Sequence, residues 1–190
     1  MRKHVTIAGE AITIRALHPA EMETRLGELA DILVDAVAFG ASVHFMAGLS
    51  RADAAAFWHD QLGALARGEK QLLVADDGRR LLGTVLLMLA LPPNAPHRAE
   101  IGKMLVHSSV RRHGLGRRLL VAAEDAAQTS GRTLLMLDTE TGSAGDLLYR
   151  SCGWTAIGIV RGHAYKTDGR LGDTTIFYKQ LPPPAEAAAR

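Results

Sequence analysis

The sequence predicts one α/β domain (an α+β arrangement) built on a mixed, mostly antiparallel sheet of seven strands, with helices on both faces. Three observations predict it. The elements read in the order β-α-α-β-β-β-α-β-α-β-β, with no internal repeat and no interdomain linker. A strand–helix–strand unit occurs once, around residues 100–138, and such a crossover joins parallel neighbours. The other strands follow one another as hairpins, which pair them antiparallel. The fourth and fifth strands in chain order therefore form the single parallel pair.

Ile12, Ile14 and Ala16 alternate with Thr13 and Arg15, a short first strand. Pro19 opens a helix with Glu21 and Glu23 in its first turn, close to the positive helix end. Leu26, Leu29, Ile32, Leu33 and Val37 continue it at three- and four-residue spacing to Phe39-Gly40. Ser50 is the N-cap of a second helix with Ala54, Phe57, Trp58, Leu62 and Leu65 as its apolar stripe, and Gly68 lies past its end. Between the two helices, Gly40 to Gly48 is an apolar loop bounded by glycines. Gln71–Ala75 and Leu81–Leu91 form a hairpin around Asp76-Asp77-Gly78. Arg98–His107 is a strand, Leu115–Ser130 a helix with Leu119, Leu120, Ala123 and Ala127 on one face, and Thr133–Asp138 the next strand. A short helix, Ala144–Ser151, and strands Thr155–Val160 and Thr174–Leu181 complete the domain. Residues 1–182 are expected to be that domain and 183–190 a flexible proline- and alanine-rich tail.

Composition narrows the function classes. Lys plus Arg number 22 against 20 for Asp plus Glu, so no general charge draws the chain to nucleic acid or membrane. The longest apolar run, Leu81 to Pro92, is too short to span a bilayer, and Met1 to Glu10 lacks the apolar stretch of a signal peptide. The single cysteine, Cys152, can form no intrachain disulfide, in keeping with a cytoplasmic location. Metal is not expected.

The most informative stretch is Arg111-Arg112-His113-Gly114-Leu115-Gly116-Arg117-Arg118, which follows a strand and opens a helix. The first N–H groups of a helix have no internal partner and, with the helix dipole, make an anion site. Gly114 and Gly116 let the backbone approach an anion, and the arginines surround it with positive charge. The natural guest is a pyrophosphate. A Walker loop is excluded because no Gly-Lys-Ser/Thr follows. A dinucleotide fingerprint fits in part, with Asp138 near the position of a ribose-binding acid. It lacks its third glycine, since Leu119 stands there, and the mostly antiparallel remainder argues against it. A tight turn with a solvated basic face is the plain structural alternative.

Arg111, Gly114 and Gly116 in this setting resemble the acetyl-coenzyme A signature of the GNAT N-acetyltransferases. The resemblance implies the GNAT fold and acetyl-CoA as cofactor, transferring acetyl to an amine. It assigns Met104, Leu105 and Val106 to the pantetheine arm, lying where that strand splays from its neighbour. It assigns Arg111, Arg112, His113, Gly114, Leu115, Gly116 and Arg117 to the diphosphate. Glu100 stands where some members keep a general base, and strand alternation puts it on the face of Gly102 and Met104; an exposed glutamate paired with Arg98 or Lys103 is the alternative. Asp138 ends the apolar strand Leu134–Leu137 at the carboxyl edge of the sheet, as a base, a binder of the substrate ammonium, or a cap of the following turn. Leu148-Tyr149 with Gly153-Trp154 is similar to the family's Leu-Tyr-x-x-x-Gly-Phe element, which makes Tyr149 the acid for the departing thiolate; a packed helix tyrosine is the alternative. The family's asparagine is replaced by Gly142, and Ser143 is the candidate to take over its cofactor contact.

Further segments, Gly40–Met46, Arg98–Glu100, Leu137–Glu140 and Asp168–Leu171, are similar to the tabtoxin-resistance branch of the family, which acetylates a β-lactam amino-acid toxin. This makes Ser42, His44 and Phe45 candidates for substrate contact beside Glu100 and Asp138, with His163, Tyr165 and Asp168 of lower rank; a buried helix connection is the alternative for Gly40–Met46. The expected partner is a small-molecule amine, with no nucleic acid and no membrane, and the chain a monomer or homodimer. A protein N-terminal or lysine acetyltransferase and a non-catalytic coenzyme A-binding module remain the rival functions.

Overall fold

The computed structural model describes residues 5–7, 10–89 and 92–183. The strands are β1 (Val5–Ile7), β2 (Glu10–Ala16), β3 (Lys70–Asp76), β4 (Leu81–Met88), β5 (Arg98–Val106), β6 (Leu134–Glu140), β7 (Thr155–Tyr165) and β8 (Leu171–Gln180). The helices are α1 (Pro19–Thr24), α2 (Leu26–Ala38), α3 (Arg51–His59), α4 (Leu62–Ala66), α5 (Leu115–Thr129) and α6 (Ala144–Ser151). All seven expected strands are present, and the three-residue β1 adds an eighth on the edge. The order across the sheet is β1-β2-β3-β4-β5-β6-β8-β7, with β5–β6 parallel and every other pair antiparallel. The expected tail lies, from residue 184 on, outside the described residues. Among the described residues no helix is long and apolar enough to cross a membrane.

Each face of the sheet buries its own apolar cluster. On one face α5 lays Leu115, Leu119, Leu120, Ala123 and Ala127 onto Val85, Leu87, Ala99, Ile101 and Leu135. On the other, α1 to α4 pack Met22, Leu29, Ile32, Leu33, Ala54, Trp58 and Leu65 against Leu72, Val74, Leu86 and Leu105. Trp58 is fully buried, and its Nε1–H donates to the Leu29 carbonyl at 3.0 Å, which ties α3 to α2. Ser50 caps α3 as expected, its Oγ accepting from the Asp53 N–H at 3.0 Å.

The first expected helix is two. Arg25 leaves helical geometry at φ −114°, between α1 and α2. Its guanidinium reaches Asp76 on β3 at 2.8 Å and Glu28 at 2.7 Å. The apolar spacing runs through both pieces, so periodicity alone reads them as one. The second helix is likewise divided into α3 and α4 at Asp60-Gln61, where Gln61 is engaged by Lys70 at 2.7 Å. The hairpin β7–β8 is longer than expected, because Ala164 and Tyr165 pair with Gly172 and Leu171 beyond an irregularity that follows Val160.

Candidate active site

The parallel pair is short. Arg98, Ala99 and Glu100 pair with Leu134, Leu135 and Met136, and no further rung is formed. Beyond Glu100, β5 stays with β4, while Leu137 to Glu140 of β6 pair with Phe177 to Thr174 of β8. The two strands therefore open into a fork. A cleft of about 790 Å³ occupies it, lined by Ile101–Val106 on one side and Asp138–Glu140 on the other. Its floor runs to Gly114–Arg117 at the start of α5 and to Ser143–Gly145 and Leu147–Tyr149 of α6. Phe39–Val43, after α2, closes the remaining side.

The β5 wall carries a bulge. Leu86 pairs with Gly102 and Thr84 with Leu105, so Lys103 and Met104 together face Val85. Lys103 adopts φ 47°, and Thr84 Oγ–H holds its carbonyl at 2.8 Å. The bulge inverts side-chain alternation. Met104 and Val106 pack into the α5-side cluster with Ile101, whereas Leu105 goes to the α2 side. The expectation that Met104 shares a face with Glu100 and Gly102 is thus overturned, because uniform alternation ends at Lys103.

At the α5 N-terminus, Gly114 sits at φ 77° with open space where a side chain would be, and no side chain caps the helix. Only glycine takes this backbone without strain. Arg118 N–H returns to the Gly114 carbonyl at 3.2 Å, so the amides of Leu115, Gly116 and Arg117 form the first turn without an intrahelical acceptor. Gly116 lines the cleft and has a further use beside the one expected. A Cβ there would stand 3.3 Å from Leu148 Cδ2, so this glycine lets α5 and α6 approach each other.

The arginines are also differentiated. Arg111 donates its Nε–H to the Val106 carbonyl at 2.9 Å, approaches Asp35 at 3.5 Å and covers the Phe39 ring. Arg117 bonds Ser151 Oγ at 3.1 Å. Arg118 donates to the Ile12 carbonyl at 2.6 Å, and its burial lowers its pKa. Arg112 lines the cleft at φ 64°, whereas His113 turns back to the Arg111 carbonyl at 2.7 Å and is not among the lining residues.

Tyr149 is buried, its ring 5.9 Å from both Trp154 and Phe177, and it lines the cleft. Burial, and after it the Asp138 charge, push its phenol well above the ordinary range, so it keeps its proton at neutral pH. Asp138 is exposed at the cleft. Ser143 Oγ accepts the Asp146 N–H at 3.2 Å as the α6 N-cap and lies 3.3 Å from Thr139 Oγ1. The hydroxyl that lines the cleft thus also holds α6 to β6. Asp146, buried, anchors the glycine that replaces the asparagine by accepting the Gly142 N–H at 2.7 Å.

Glu100 occupies the last closed rung, opposite Met136, and its carboxylate lies 3.5 Å from Arg98. Ala99 and Ile101 face α5, as do Leu135 and Leu137, so Glu100 and Asp138 both point to the opposite face. Asp138 stands two residues nearer the opening, about 7 Å along a strand. Glu100 is not among the lining residues; Ser42 is. His44 and Phe45 flank the cleft at Lys103: Lys103 Nζ is 3.5 Å from His44 Nδ1 and 5.9 Å from the Phe45 ring centre. Burial and the Lys103 charge lower the His44 pKa, and burial lowers that of Lys103. His163 and Tyr165 lie on β7, and Asp168 pairs with Arg170 at the β7–β8 turn. Sequence reasoning missed Lys103 and Asp35. A lysine on a strand looks like a solvated face, and Asp35 looks like the polar side of α2.

Among the described residues, no group of three or more His, Cys, Asp or Glu could hold a metal ion. The fork, the free amides and Gly114 fit a long ligand with a diphosphate at one end. Comparison with known proteins agrees. A model of the acetyltransferase (GNAT) family matches residues 42–154. The fold is similar to that of ribosomal-protein-alanine N-acetyltransferase from Brucella melitensis, at TM-score 0.73 and 23% identity over 89% of this chain and 99% of that one. It is similar to a Salmonella typhimurium protein solved with its cofactor acetyl-CoA, at TM-score 0.72 and 22% identity over 92% and 96% of the two chains. An N-acetyltransferase from Staphylococcus aureus Mu50 gives TM-score 0.73 and 17% identity over 90% and 99%. The chain belongs to the acetyltransferase (GNAT) family and is an acetyl-CoA-dependent acetyltransferase.

Proposed function

We propose that the enzyme acetylates the amine of a small molecule by direct attack in a ternary complex, with Asp138 as the base and Tyr149 as the acid. The observation that carries this reading is that both residues line one fork, which leads to the free amides of α5. Acetyl-CoA supplies an acetyl thioester already activated for transfer. The amides of Leu115, Gly116 and Arg117 hold the diphosphate, with Arg112 adding charge. The β5 edge from Met104 to Val106 lies along the pantetheine arm, and the backbone at the bulge orients the acetyl carbonyl. Leu105 contributes backbone only, since its side chain is buried on the α2 side. Arg111 positions this edge through the Val106 carbonyl.

An amine attacks only when neutral, and most amines are protonated at pH 7. Asp138 takes the ammonium proton. The amine nitrogen bonds to the acetyl carbon as the carbon–sulfur bond breaks, Tyr149 gives its phenolic proton to the sulfur, and the second proton shed by the acylated nitrogen returns the Tyr149 phenolate to phenol. Positioning and electrostatics supply most of the acceleration, and no covalent enzyme intermediate is needed. Glu100, one step deeper on the same face, supports Asp138 through the field of the site.

Residues 1–182 act in this reading as one catalytic domain. Cys152 and the use of acetyl-CoA support a cytoplasmic location. Ile157, Ile159, Val160 and Tyr165, exposed on the edge strand β7, support a homodimer over a monomer. Toxin acetylation rests on the segments similar to the tabtoxin-resistance branch.

The test is free-thiol release from acetyl-CoA with a panel of amines: amino acids, a β-lactam amino-acid toxin, polyamines, and a peptide with N-terminal alanine. Turnover with small amines is expected. Turnover with the peptide alone would replace this reading with protein N-terminal acetylation, and stoichiometric coenzyme A binding without turnover would leave a binding module.

A further inference from the structure

The acceptor side of the cleft holds a cation that the proposed reaction does not use. Lys103 stands at the bulge on the cleft wall with its carbonyl fixed by Thr84. Its side chain runs to the α2 side, where Nζ lies 5.1 Å from the Phe57 ring centre and 5.9 Å from that of Phe45. The two rings stand edge to face, 5.4 Å apart at 86°, and form two walls around the ammonium. Ring faces attract a cation but do not neutralise it. Nζ lies within hydrogen-bond reach of the His44 ring nitrogen, at 3.5 Å. Among the described residues no ion pair to Lys103 is formed, although burial already disfavours its charge. A half-buried ammonium with aromatic walls and no carboxylate at ion-pair distance is stabilised by an anion arriving in the cleft. Asp138, which lines the same cleft and whose charge acts on Lys103, meets the opposite sign.

We infer that Lys103 is an acceptor-binding residue that takes the carboxylate, or an equivalent oxyanion, of a zwitterionic amino-acid-like substrate whose amine faces Asp138. This rests on the proposed acetyl transfer to a small amine and names its acceptor class. It disfavours polyamines, which bring a second cation towards Lys103, and peptide N-termini, which lack a carboxylate beside the amine.

The experiment compares kcat/KM for free α-amino acids with that for their carboxamides of the same side chain, using the full chain and acetyl-CoA. The carboxylate makes the free acid's amine more basic, so solution chemistry favours the amide as nucleophile near neutral pH. Preference for the acid must then come from the site. We expect the acid to be preferred at least ten-fold. In Lys103→Met, which keeps much of the apolar stem, the ratio of acid to amide should fall to near one; in Lys103→Arg it should be largely restored. Thermal melts of both variants report folding separately from this ratio. Amides turned over as well as acids by the wild type, or a ratio unchanged in Lys103→Met, would overturn the inference and leave acetyl transfer standing. Thiol release with no amine at all would remove the transferase reading and this inference together.

Discussion

Asp35 grips Ser108 twice: one carboxylate oxygen accepts the Ser108 backbone N–H at 2.7 Å and the other accepts its hydroxyl at 2.6 Å. Asp35 belongs to α2, and Ser108 begins the short 3-10 turn, Ser108–Val110, that leads towards Gly114. The same carboxylate lies 3.5 Å from Arg111. One acidic side chain thus fixes the approach to the α5 N-terminus from the helix on the opposite side of the cleft. Asp35→Ala should cost about 1–3 kcal/mol by leaving the Ser108 donors and Arg111 without their acceptor. Coenzyme A affinity should fall with it. Urea unfolding and calorimetry check both, and a variant unchanged in both would show that the turn is held by other contacts.

Gly114 and Gly116 should fail differently. Gly114→Ala forces a side chain into φ 77°, a strain of about 1–2 kcal/mol, while leaving the cleft open. Gly114→Glu adds a negative charge at the anion site and should abolish coenzyme A binding. Gly116→Val drives a branched side chain into Leu148 and should destabilise the α5–α6 contact more than Gly114→Ala does. Calorimetry with coenzyme A together with thermal melts separates the two patterns; equal effects at both positions would contradict the assignment.

Tyr149→Phe keeps the ring against Trp154 and Phe177 and removes the proton donor. It should lower kcat about 10²-fold or more with coenzyme A affinity nearly unchanged. The raised phenol also links stability to pH. Its neutral form is favoured in the folded state, so this stability is complete below the unfolded value near 10 and is lost as pH rises above it. Wild-type stability should therefore decline more steeply than that of Tyr149→Phe between about pH 10 and 12. Parallel denaturation curves over that range would mean that the tyrosine is not desolvated as described.

Asp138→Asn and Glu100→Gln divide the base from its neighbour. Asp138→Asn should lower kcat about 10²–10⁴-fold, with partial recovery at high pH as the free amine fraction grows. Glu100→Gln should change kcat far less, because its carboxylate is at the closed end of the fork beside Arg98. The reverse ranking in a pH–rate series would exchange the two roles.

The strand–helix–strand unit and the glycine turn inside it are legible because both are local. Gly114 and Leu115–Thr129 announce the helix start, and the parallel pair follows from one crossover. The Leu148-Tyr149 element singles out Tyr149, the end of an apolar strand singles out Asp138, and both line the cleft. Other features depend on contacts remote in sequence. Arg25, where the first helix breaks, reaches Asp76 far along the chain. The bulge at Lys103 leaves no mark on the apolar pattern of Ile101 to Val106, so alternation misplaced Met104. Gly116 also makes room for Leu148, and Ser143 also caps α6, contacts that the turn motif alone does not announce. In each case the residue type was informative and its partner was not visible.

The most direct test is a crystal structure with acetyl-CoA bound. The account predicts the diphosphate on the backbone N–H groups of Leu115, Gly116 and Arg117, the pantetheine arm between β5 and β6, and the acetyl group between Asp138 and Tyr149. A ligand bound elsewhere, or an unoccupied fork at saturating acetyl-CoA, would contradict it.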